Sequence, residues 1–342
     1  KLVVGGQEVF TLEEVCALGG VCELAYDQHG CRFLQEQLEH APQKALGLML
    51  DSLLPELDKL MVDPFGNYLC QKVAQYAGPE QQMQIVERIA PALADISLNV
   101  HGTRAVQRLL EGLRAPSAHG VIAAALRERV EELIRDQNAN HVVQRCVATL
   151  GEEHVDFVVD AVQRAFVEVG THRHGCCVLQ RCLDNATGQT RESLIASVVE
   201  HTAELIADPF GNYVVQYVLQ LKVPALTQKV AEAIRGMVAE LATQKFSSNV
   251  IEKCLTSGDA KAVSIVIAEL LKADTLGALL HDPFGNYVVQ RVLQVGSDEE
   301  LKLLLERIAP HMGGLRTTLY GKRIQAKLLK RFPQLVVTVE RS

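Results

Sequence analysis

The sequence predicts an all-α solenoid of eight helical repeats, each about 36 residues long. The first observation is the segment DPFGNY, which occurs three times, at Asp63–Tyr68, Asp208–Tyr213 and Asp282–Tyr287. The second is a series of weaker, related segments that fill the gaps between these copies in phase. The third is helical spacing of apolar residues after each copy. One unit of this size cannot bury its own apolar face, so neighbouring units must stack.

One position in each segment sets the register of the eight repeats. The residues at this position are Cys31, Asn67, Thr103, Asn140, Cys176, Asn212, Ser248 and Asn286. A ninth, weaker copy of the segment follows at Leu319–Lys327. Eight segments in phase are too many for a chance match, so the period itself organises the chain.

Each copy of DPFGNY has the features of a helix start. Asp63 is expected to cap the first free amide groups, and Pro64 suits the first helical position because its missing N–H is not needed there. An apolar stripe follows, and it includes Leu69 and Val73. The break YAGPE and a second amphipathic run come next. The pattern therefore predicts two or three helices in each repeat.

Composition predicts one domain that is stable in water. The chain has 342 residues, of which 48% are hydrophobic and 22% charged. We expect a single domain over 1–342, with an N-terminal cap at 1–25, repeats over about 26–310 and a C-terminal cap at about 311–342. An apolar run of membrane-spanning length and a signal-like start are both lacking, so a cytoplasmic protein without a membrane partner is expected. The nine cysteines are expected to be reduced core residues.

Three residues of each repeat share one face of the helix that follows the motif. Asn67 and Gln71 lie about 40° apart on that face, and Tyr68 flanks them. A merely solvated face would vary among Lys, Glu, Ser and Gln. Instead, the last position of this triplet is Gln in seven repeats and Glu in one. Amide pairs beside planar side chains match the polar edges and flat faces of single-stranded bases.

These triplets give the chain a resemblance, over nearly its whole length, to the Pumilio-homology domain of the PUF family, in particular to its eight-repeat Pumilio-like members. The resemblance implies a right-handed superhelix in which each repeat contacts one RNA base. The first and third residues of a triplet would contact the base edge, and the second would stack between bases. The RNA would run antiparallel to the chain, with the C-terminal repeat on the 5′ base.

The resemblance assigns two sets of residues. The expected base-edge contacts are Cys31, Gln35, Asn67, Gln71, Thr103, Gln107, Asn140, Gln144, Cys176, Gln180, Asn212, Gln216, Ser248, Glu252, Asn286 and Gln290. The expected stacking residues are Arg32, Tyr68, Arg104, His141, Cys177, Tyr213, Asn249 and Tyr287. Thr103 is a less common first residue in the family, and Cys177 departs from its usual Arg, Tyr or His.

The family's code implies a target. Asn with Gln implies uracil, a small residue with Gln implies adenine, and Ser with Glu implies guanine, so the target would be 5′-UGUAUAUA-3′. Guanine has independent physical support, because a carboxylate accepts from both N1–H and N2–H. The resemblance further implies a monomer that binds mRNA 3′ untranslated regions, represses those messages and recruits corepressors and a deadenylase complex. It implies no catalysis, cofactor or metal.

Other readings explain less of the sequence. The motifs for a phosphate-binding Gly loop, HExxH and GxSxG are not found, which argues against an enzyme. The cluster at His172–Cys177 resembles a metal site, but Cys176 falls in phase with Asn67. A protein-binding solenoid of the armadillo or HEAT type is the main alternative. It leaves the single Glu252 beside Ser248 unexplained.

The net charge of −7 argues against an indiscriminate nucleic-acid binder. Specificity would then come from base edges and stacking. A basic residue nevertheless follows the third triplet position in six repeats, and it either contacts RNA phosphate or pairs with an acidic residue of the protein. These residues are Lys72, Arg108, Arg145, Arg181, Lys253 and Arg291.

Overall fold

The helices of the protein follow the predicted period. In the computed structural model, which describes residues 2–274, 276–311, 314 and 318–332, each repeat contains three helices. A short helix comes first, a helix carrying the triplet follows it, and an outer helix completes the unit. We call the second of these the motif helix. The α-solenoid class predicted from the sequence is confirmed.

The first thirteen helices comprise one N-terminal helix and the helices of the first four repeats. They are α1 (Leu12–Ala17), α2 (Val21–Tyr26), α3 (Gln28–His40), α4 (Pro42–Leu53), α5 (Leu57–Val62), α6 (Gly66–Tyr76), α7 (Pro79–Ile89), α8 (Leu93–Leu98), α9 (Gly102–Glu111), α10 (Ser117–Arg127), α11 (Val130–Arg135), α12 (Ala139–Thr149) and α13 (Asp156–Arg164).

The remaining described helices belong to repeats five to eight and to the ninth segment. They are α14 (Phe166–Gly170), α15 (Gly175–Asn185), α16 (Gly188–Glu200), α17 (Thr202–Leu205), α18 (Gly211–Gln220), α19 (Pro224–Ala233), α20 (Val238–Ala242), α21 (Ser247–Leu255), α22 (Ala260–Lys272), α23 (Leu276–Leu279), α24 (Gly285–Val295), α25 (Asp298–Ile308) and α26 (Leu319–Arg331). Single 3-10 turns occupy Leu54–Glu56, Ala90–Ala92, Glu152–His154 and Ala309–His311.

The helices form two compact units. The first contains the residues up to 165 together with Arg173–Ala186, and the second contains Phe166–His172 together with the residues from 187 onward. In the first unit, the motif helices α3, α6, α9, α12 and α15 pack side by side in sequence order. In the second, α18, α21, α24 and α26 do the same. The expected single domain with its two caps stays a prediction.

The N-terminal segment adds strands that the sequence did not indicate. Leu2–Val4 and Gln7–Val9 form an antiparallel hairpin, β1 and β2, in which Val3 is opposite Glu8. Val4 and Val9 are buried, and Val4 packs tightly against Gly20. This hairpin and α1 precede the first repeat, whose short helix α2 falls within the stretch expected to be a cap.

Apolar residues from each class of helix form a continuous core within each unit. Leu69 and Val73 of α6 are buried, as are Ile85 and Ile89 of the outer helix α7. Full burial of one such side chain stabilises the fold by about 1.5–3 kcal/mol. None of the nine cysteines, all of which lie in the described residues, is in a disulfide. No described helix has the length and apolar character needed to cross a membrane.

The motif helix begins later than the sequence suggested. Pro64 lies in a turn, and α6 starts at Gly66, so the expectation of Pro at the first helical position was wrong. The capping role of Asp63 is confirmed, because its Oδ1 accepts from Phe65 N at 2.8 Å and Gly66 N at 2.7 Å. This arrangement is an Asx turn, in which a short carboxylate replaces a backbone acceptor and folds the chain into the helix.

The same turn recurs in most repeats. An Asp or Asn side chain accepts two backbone N–H groups at the start of six of the eight motif helices. These residues are Asp27, Asp63, Asn99, Asp136, Asp208 and Asp282. In these six repeats the turn fixes where the motif helix begins, and with it the direction in which the triplet faces.

Candidate nucleic-acid interface

The three triplet positions differ in exposure in the same way in all eight repeats. The first residue is always buried, and Asn67 is only 1% exposed. The second residue is always exposed, as shown by Tyr213 at 56%. The third is partly buried, or buried in the case of Gln216 and Gln290. The sequence suggested that first and third residues are displayed together; the structure instead places the first residue beneath the third.

The turn explains why a first-position Asn is buried without cost. Asn67 Nδ2 donates to Asp63 O at 2.8 Å and to Pro64 O at 3.0 Å. Its Oδ1 then faces Gln71, whose Nε2 donates to it at 3.0 Å. Buried amide groups require such partners. Asn140, Asn212 and Asn286 repeat this arrangement with similar distances.

Two repeats with a small first residue use a different partner. Thr103 Oγ1 donates to Asn138 O at 2.9 Å and accepts from Gln107 Nε2 at 3.1 Å. Cys31 Sγ likewise donates to Phe65 O at 3.2 Å and accepts from Gln35 Nε2 at 3.3 Å. In both repeats the carbonyl belongs to the turn of the next repeat. Thr103 therefore occupies the same hydrogen-bonding position as Cys31.

The other two small first residues bond within their own turns. Cys176 Sγ lies 3.6 Å from Arg173 O, and Ser248 Oγ donates to Lys245 O at 3.4 Å. Burial raises the pKa of the Cys31 thiol, so this side chain stays a neutral donor. The first position thus holds a neutral polar group in every repeat.

The exposed second positions form a row of side chains beside these pairs. Tyr68, Tyr213 and Tyr287 offer aromatic faces of the kind on which bases stack. Arg32 is tied by its Nε to Glu36 Oε1 at 3.3 Å, and Asn249 by its Nδ2 to Lys245 O at 3.1 Å. The hydrogen bonds restrain both side chains before any ligand arrives.

Open polar pockets lie along this row within each unit. One of about 330 Å³ in the second unit is lined by Tyr213, Gln216, Asn249, Glu252 and Lys253, among others. The first unit has one of about 160 Å³ whose lining includes Gln107, His141, Gln144, Arg145 and Arg181. Each pocket therefore combines triplet side chains of two successive repeats with nearby cations.

Most of the basic residues beside the triplets are already neutralised. Lys72 pairs with Glu39, Arg108 and Arg145 with Glu111, Arg181 with Asp184 and Arg291 with Glu252. Lys253 makes no ion pair with any described residue, and burial lowers the pKa of its ammonium group. The protein pairing that the sequence left open as an alternative thus applies to five of the six.

Glu252 is the only acidic third-position residue, and its surroundings are cationic. Arg291 Nη2 lies 3.4 Å from Glu252 Oε2, a long and weak contact. The carboxylate therefore keeps most of its accepting capacity for a ligand with paired donors. Across the described residues, no group of three or more His, Cys, Asp or Glu side chains is placed to hold a metal ion.

Family models identify these repeats. The Pumilio-family RNA-binding repeat matches residues 20–54, 58–90, 93–114, 129–162, 165–199 and 201–222. The chain belongs to the PUF family. A second model of that family, the NOP9-like PUF repeat domain, matches residues 232–326. The repeats are therefore PUF repeats, and the alternative of an armadillo or HEAT scaffold is set aside.

Similar proteins agree with this membership. A Pumilio domain-containing protein of Schizosaccharomyces pombe, C6G9.14, is 43% identical over 90% of this PUF chain and 45% of its own length. Pumilio homolog 12 of Arabidopsis thaliana is 39% identical over 91% of this chain and 53% of its own. The chain spans about half the length of the curated relatives it matches.

Solved PUF structures have the same fold. The Puf4 RNA-binding domain bound to an HO endonuclease 3′ UTR sequence is 38% identical with a TM-score of 0.82, covering 90% of this chain and 98% of the other. A Puf4 double variant, with a threonine replaced by cysteine and a cysteine by arginine, is bound to a Cox17 3′ UTR sequence. It is 36% identical with a TM-score of 0.81, and the match covers 94% of this chain and 99% of the other.

Some contributors to the site were not found from the sequence. The turn residues Asn99 and Asp136 were not singled out, although each precedes its first-position residue by four, as Asp63 does. Arg291 was expected to contact phosphate or an acid, but not the guanine-assigned Glu252 in particular. That contact joins two repeats through packing, so no local spacing signals it.

Proposed function

We propose that this PUF protein reads single-stranded RNA with one base per repeat and that its target is 5′-UGUAUAUA-3′. The supporting observation is that all eight triplets have the same layered burial, with a neutral polar group beneath an amide or carboxylate and an exposed side chain beside it. Such a repeated arrangement suits an unpaired strand with regularly spaced bases.

The amide geometry supports the uracil and adenine assignments. In an Asn/Gln repeat, Asn Oδ1 is an acceptor that lies against the Gln amide, and that amide still has one free N–H. An acceptor beside a donor complements uracil N3–H and one neighbouring carbonyl. With Cys31 or Thr103 below it, the Gln amide alone supplies a donor and an acceptor, which suits adenine N1 and N6–H.

A relative supports the importance of Thr103 and Cys177. The threonine and the cysteine that are replaced in the Puf4 variant are separated by the same number of residues as Thr103 and Cys177. We infer that these two positions in repeats three and five influence which RNA this chain prefers. In this chain, Thr103 donates to a carbonyl group in the turn of the next repeat, as Cys31 does. Cys177 offers no planar surface for stacking.

The proposed biological role is post-transcriptional repression in the cytoplasm. The chain would bind 3′ untranslated regions as a monomer and bring a deadenylase complex and other corepressors to the message. Support comes from Puf4 and yeast Puf5p domains, which have been solved with 3′ UTR and SMX2 RNAs respectively.

A code exchange at repeat seven tests the reading mechanism. The triple variant Ser248→Asn, Asn249→Tyr and Glu252→Gln should shift the preferred second base from guanine to uracil. A matched set of base contacts typically changes affinity by about 1–3 kcal/mol. Competition binding with UGUAUAUA, UUUAUAUA and UCUAUAUA measures the preference, and the unchanged protein is the control. If the variant still prefers guanine, the residue assignments are wrong.

A further inference from the structure

Helix α26 concentrates positive charge in a protein that is otherwise acidic. Its thirteen residues include Lys322, Arg323, Lys327, Lys330 and Arg331 and no Asp or Glu. The whole chain has a net charge of −7. The eight-base reading does not use these residues, so the charge of this helix has no role in the mechanism above.

The helix is stacked as a ninth motif helix. It packs on α24, as α24 packs on α21. Gly321, Ile324 and Leu328 are buried, as are their counterparts Gly285, Val288 and Val292 one repeat earlier. In this register, Lys322, Arg323 and Ala326 occupy the triplet positions, and Lys327 occupies the position of Arg291. The side chains of α26 thus extend the row formed by the preceding repeats.

The ninth triplet lacks the groups that read a base. Ala326 has no hydrogen-bonding group where the other repeats have Gln or Glu. Lys322 is exposed and only donates, whereas every other first position is buried. Among the described residues, neither Lys322 nor Arg323 makes an ion pair, in contrast to Arg331, which lies 3.3 Å from Asp298. The two cations at the triplet positions are therefore available to an external anion.

The neighbouring pair of cations lacks sufficient negative charge. Lys327 and Arg291 lie close enough that burial and the charge of Arg291 both lower the pKa of Lys327. Arg291 donates from Nη1 to Gln294 Oε1 at 2.7 Å and reaches Glu252 only at 3.4 Å. Its Nε is buried and has no partner in the described part of the chain. Two partly buried cations thus share the single carboxylate of Glu252. The remaining positive charge would be stabilised by an additional anion.

We propose that α26 binds the phosphate backbone of the RNA immediately 5′ of the element that the repeats read, without recognising bases. This rests on the proposed function, because the antiparallel orientation brings the 5′ end of the target to repeat eight. Lys and Arg side chains hold phosphates through charge, and such contacts position a strand without reading its sequence. The ligand is therefore the flanking segment of the same RNA strand.

The test compares RNAs with and without flanking nucleotides. The octamer UGUAUAUA is measured alone, with three added 5′ nucleotides (AAA, CCC or UUU), and with three added 3′ nucleotides. The 5′ extensions should tighten binding equally whatever their bases, and the 3′ extension should not. Each phosphate contacted makes the slope of log K against log salt more negative by about 0.7. For two contacts, the advantage of the 5′ extension should fall roughly sevenfold between 50 and 200 mM salt.

Variants assign the effect to α26. Replacing Lys322 and Arg323 together by Gln should remove the advantage of the 5′ extension and leave octamer binding nearly unchanged. A charge-matched control replaces the exposed Lys229 and Lys302 on the outer helices of the same unit by Gln and should keep that advantage. Circular dichroism melting checks that both variants fold.

The outcomes separate the two proposals. If the wild-type protein does not bind the octamer, the proposed function fails. If it binds the octamer and a 5′ extension gives no advantage, the role of α26 is refuted. An advantage that depends on the added bases, that appears at the 3′ side, or that disappears equally in the charge-matched control also refutes it.

Discussion

Cys177 is the only second-position residue whose side chain has no planar group. Its counterparts His141 and Tyr213 are both planar, and it is exposed like them. A thiol provides a small apolar contact, whereas stacking on an aromatic group contributes about 1–3 kcal/mol per base. At the scale of single residues, we therefore expect repeat five to hold its base less firmly than repeats with a Tyr.

The variant Cys177→Arg should bind UGUAUAUA more tightly and discriminate more sharply at the fourth base. The guanidinium group supplies a flat surface and a cation–π contribution that the thiol lacks. Fluorescence anisotropy with UGUAUAUA and with an RNA changed only at the fourth base gives both quantities. Cys177→Ser is the matched control, since it changes polarity without adding a stacking surface. If affinity and discrimination are both unchanged in the Arg variant, a different residue already stacks on this base.

The glycine that begins most motif helices sets how closely the two inner helices of a repeat approach. A Cβ atom on Gly102 would lie 2.2 Å from Ile96 O, and one on Gly66 would lie 2.9 Å from Leu60 O. Backbone atoms cannot move aside as a flexible side chain can. At the scale of the helix, this contact fixes the position of the triplet relative to the short helix beneath it.

Gly102→Ala should destabilise the protein by about 1–3 kcal/mol, the usual cost of overpacking. Gly47→Ala is the control, because Gly47 lies within α4 and a Cβ there meets no atom within 4 Å. That change should stabilise the protein by about 0.5–1 kcal/mol, since Ala favours a helix more than Gly does. Urea unfolding measures both, and equal effects from the two substitutions would contradict this account of the contact.

The helices illustrate how far local sequence determines the site. The position and exposure of Tyr68 followed from helical spacing, because both depend on residues within one helix. The burial of Asn67 could not be predicted in this way. It depends on carbonyl groups of a turn, and the sequence pattern had predicted that this stretch was the start of the helix. The Arg291–Glu252 contact joins two repeats and depends on packing between helices. Predictions from sequence therefore succeeded within a helix and for its capping residue Asp63, but missed the carbonyl partners in the turn and the contacts between repeats.

At the scale of the whole molecule, most of the positive charge beside the triplets is balanced by acidic side chains of the protein itself. Five of the six basic residues beside the triplets already pair with acidic side chains. A phosphate that replaced such a partner would gain little net attraction. The net charge of −7 further disfavours nonspecific electrostatic binding to the phosphate backbone of RNA. Affinity for the bare octamer should therefore come chiefly from hydrogen bonds to base edges and from stacking.

Binding of the unextended octamer should accordingly depend only weakly on salt. Each contacted phosphate of a single strand contributes about −0.7 to the slope of log K against log salt. We expect a slope that corresponds to few contacts, measured by titration between 50 and 400 mM KCl. The scrambled octamer AUAGUUAU serves as the control for nonspecific binding. A slope equivalent to eight or more phosphates would show that backbone attraction dominates.

The buried first residue of each triplet has a consequence for how the proposed RNA specificity can change through mutation. Replacing Asn67 by Cys would remove the donor from two turn carbonyls and would require a new acceptor, which Cys31 finds in the following repeat. A change at Gln71, which is only partly buried, makes no such demand. Point mutations should therefore retune the third position more readily than the first. Engineered RNA-binding reagents derived from this chain should exchange a repeat together with the adjoining turn of its neighbour.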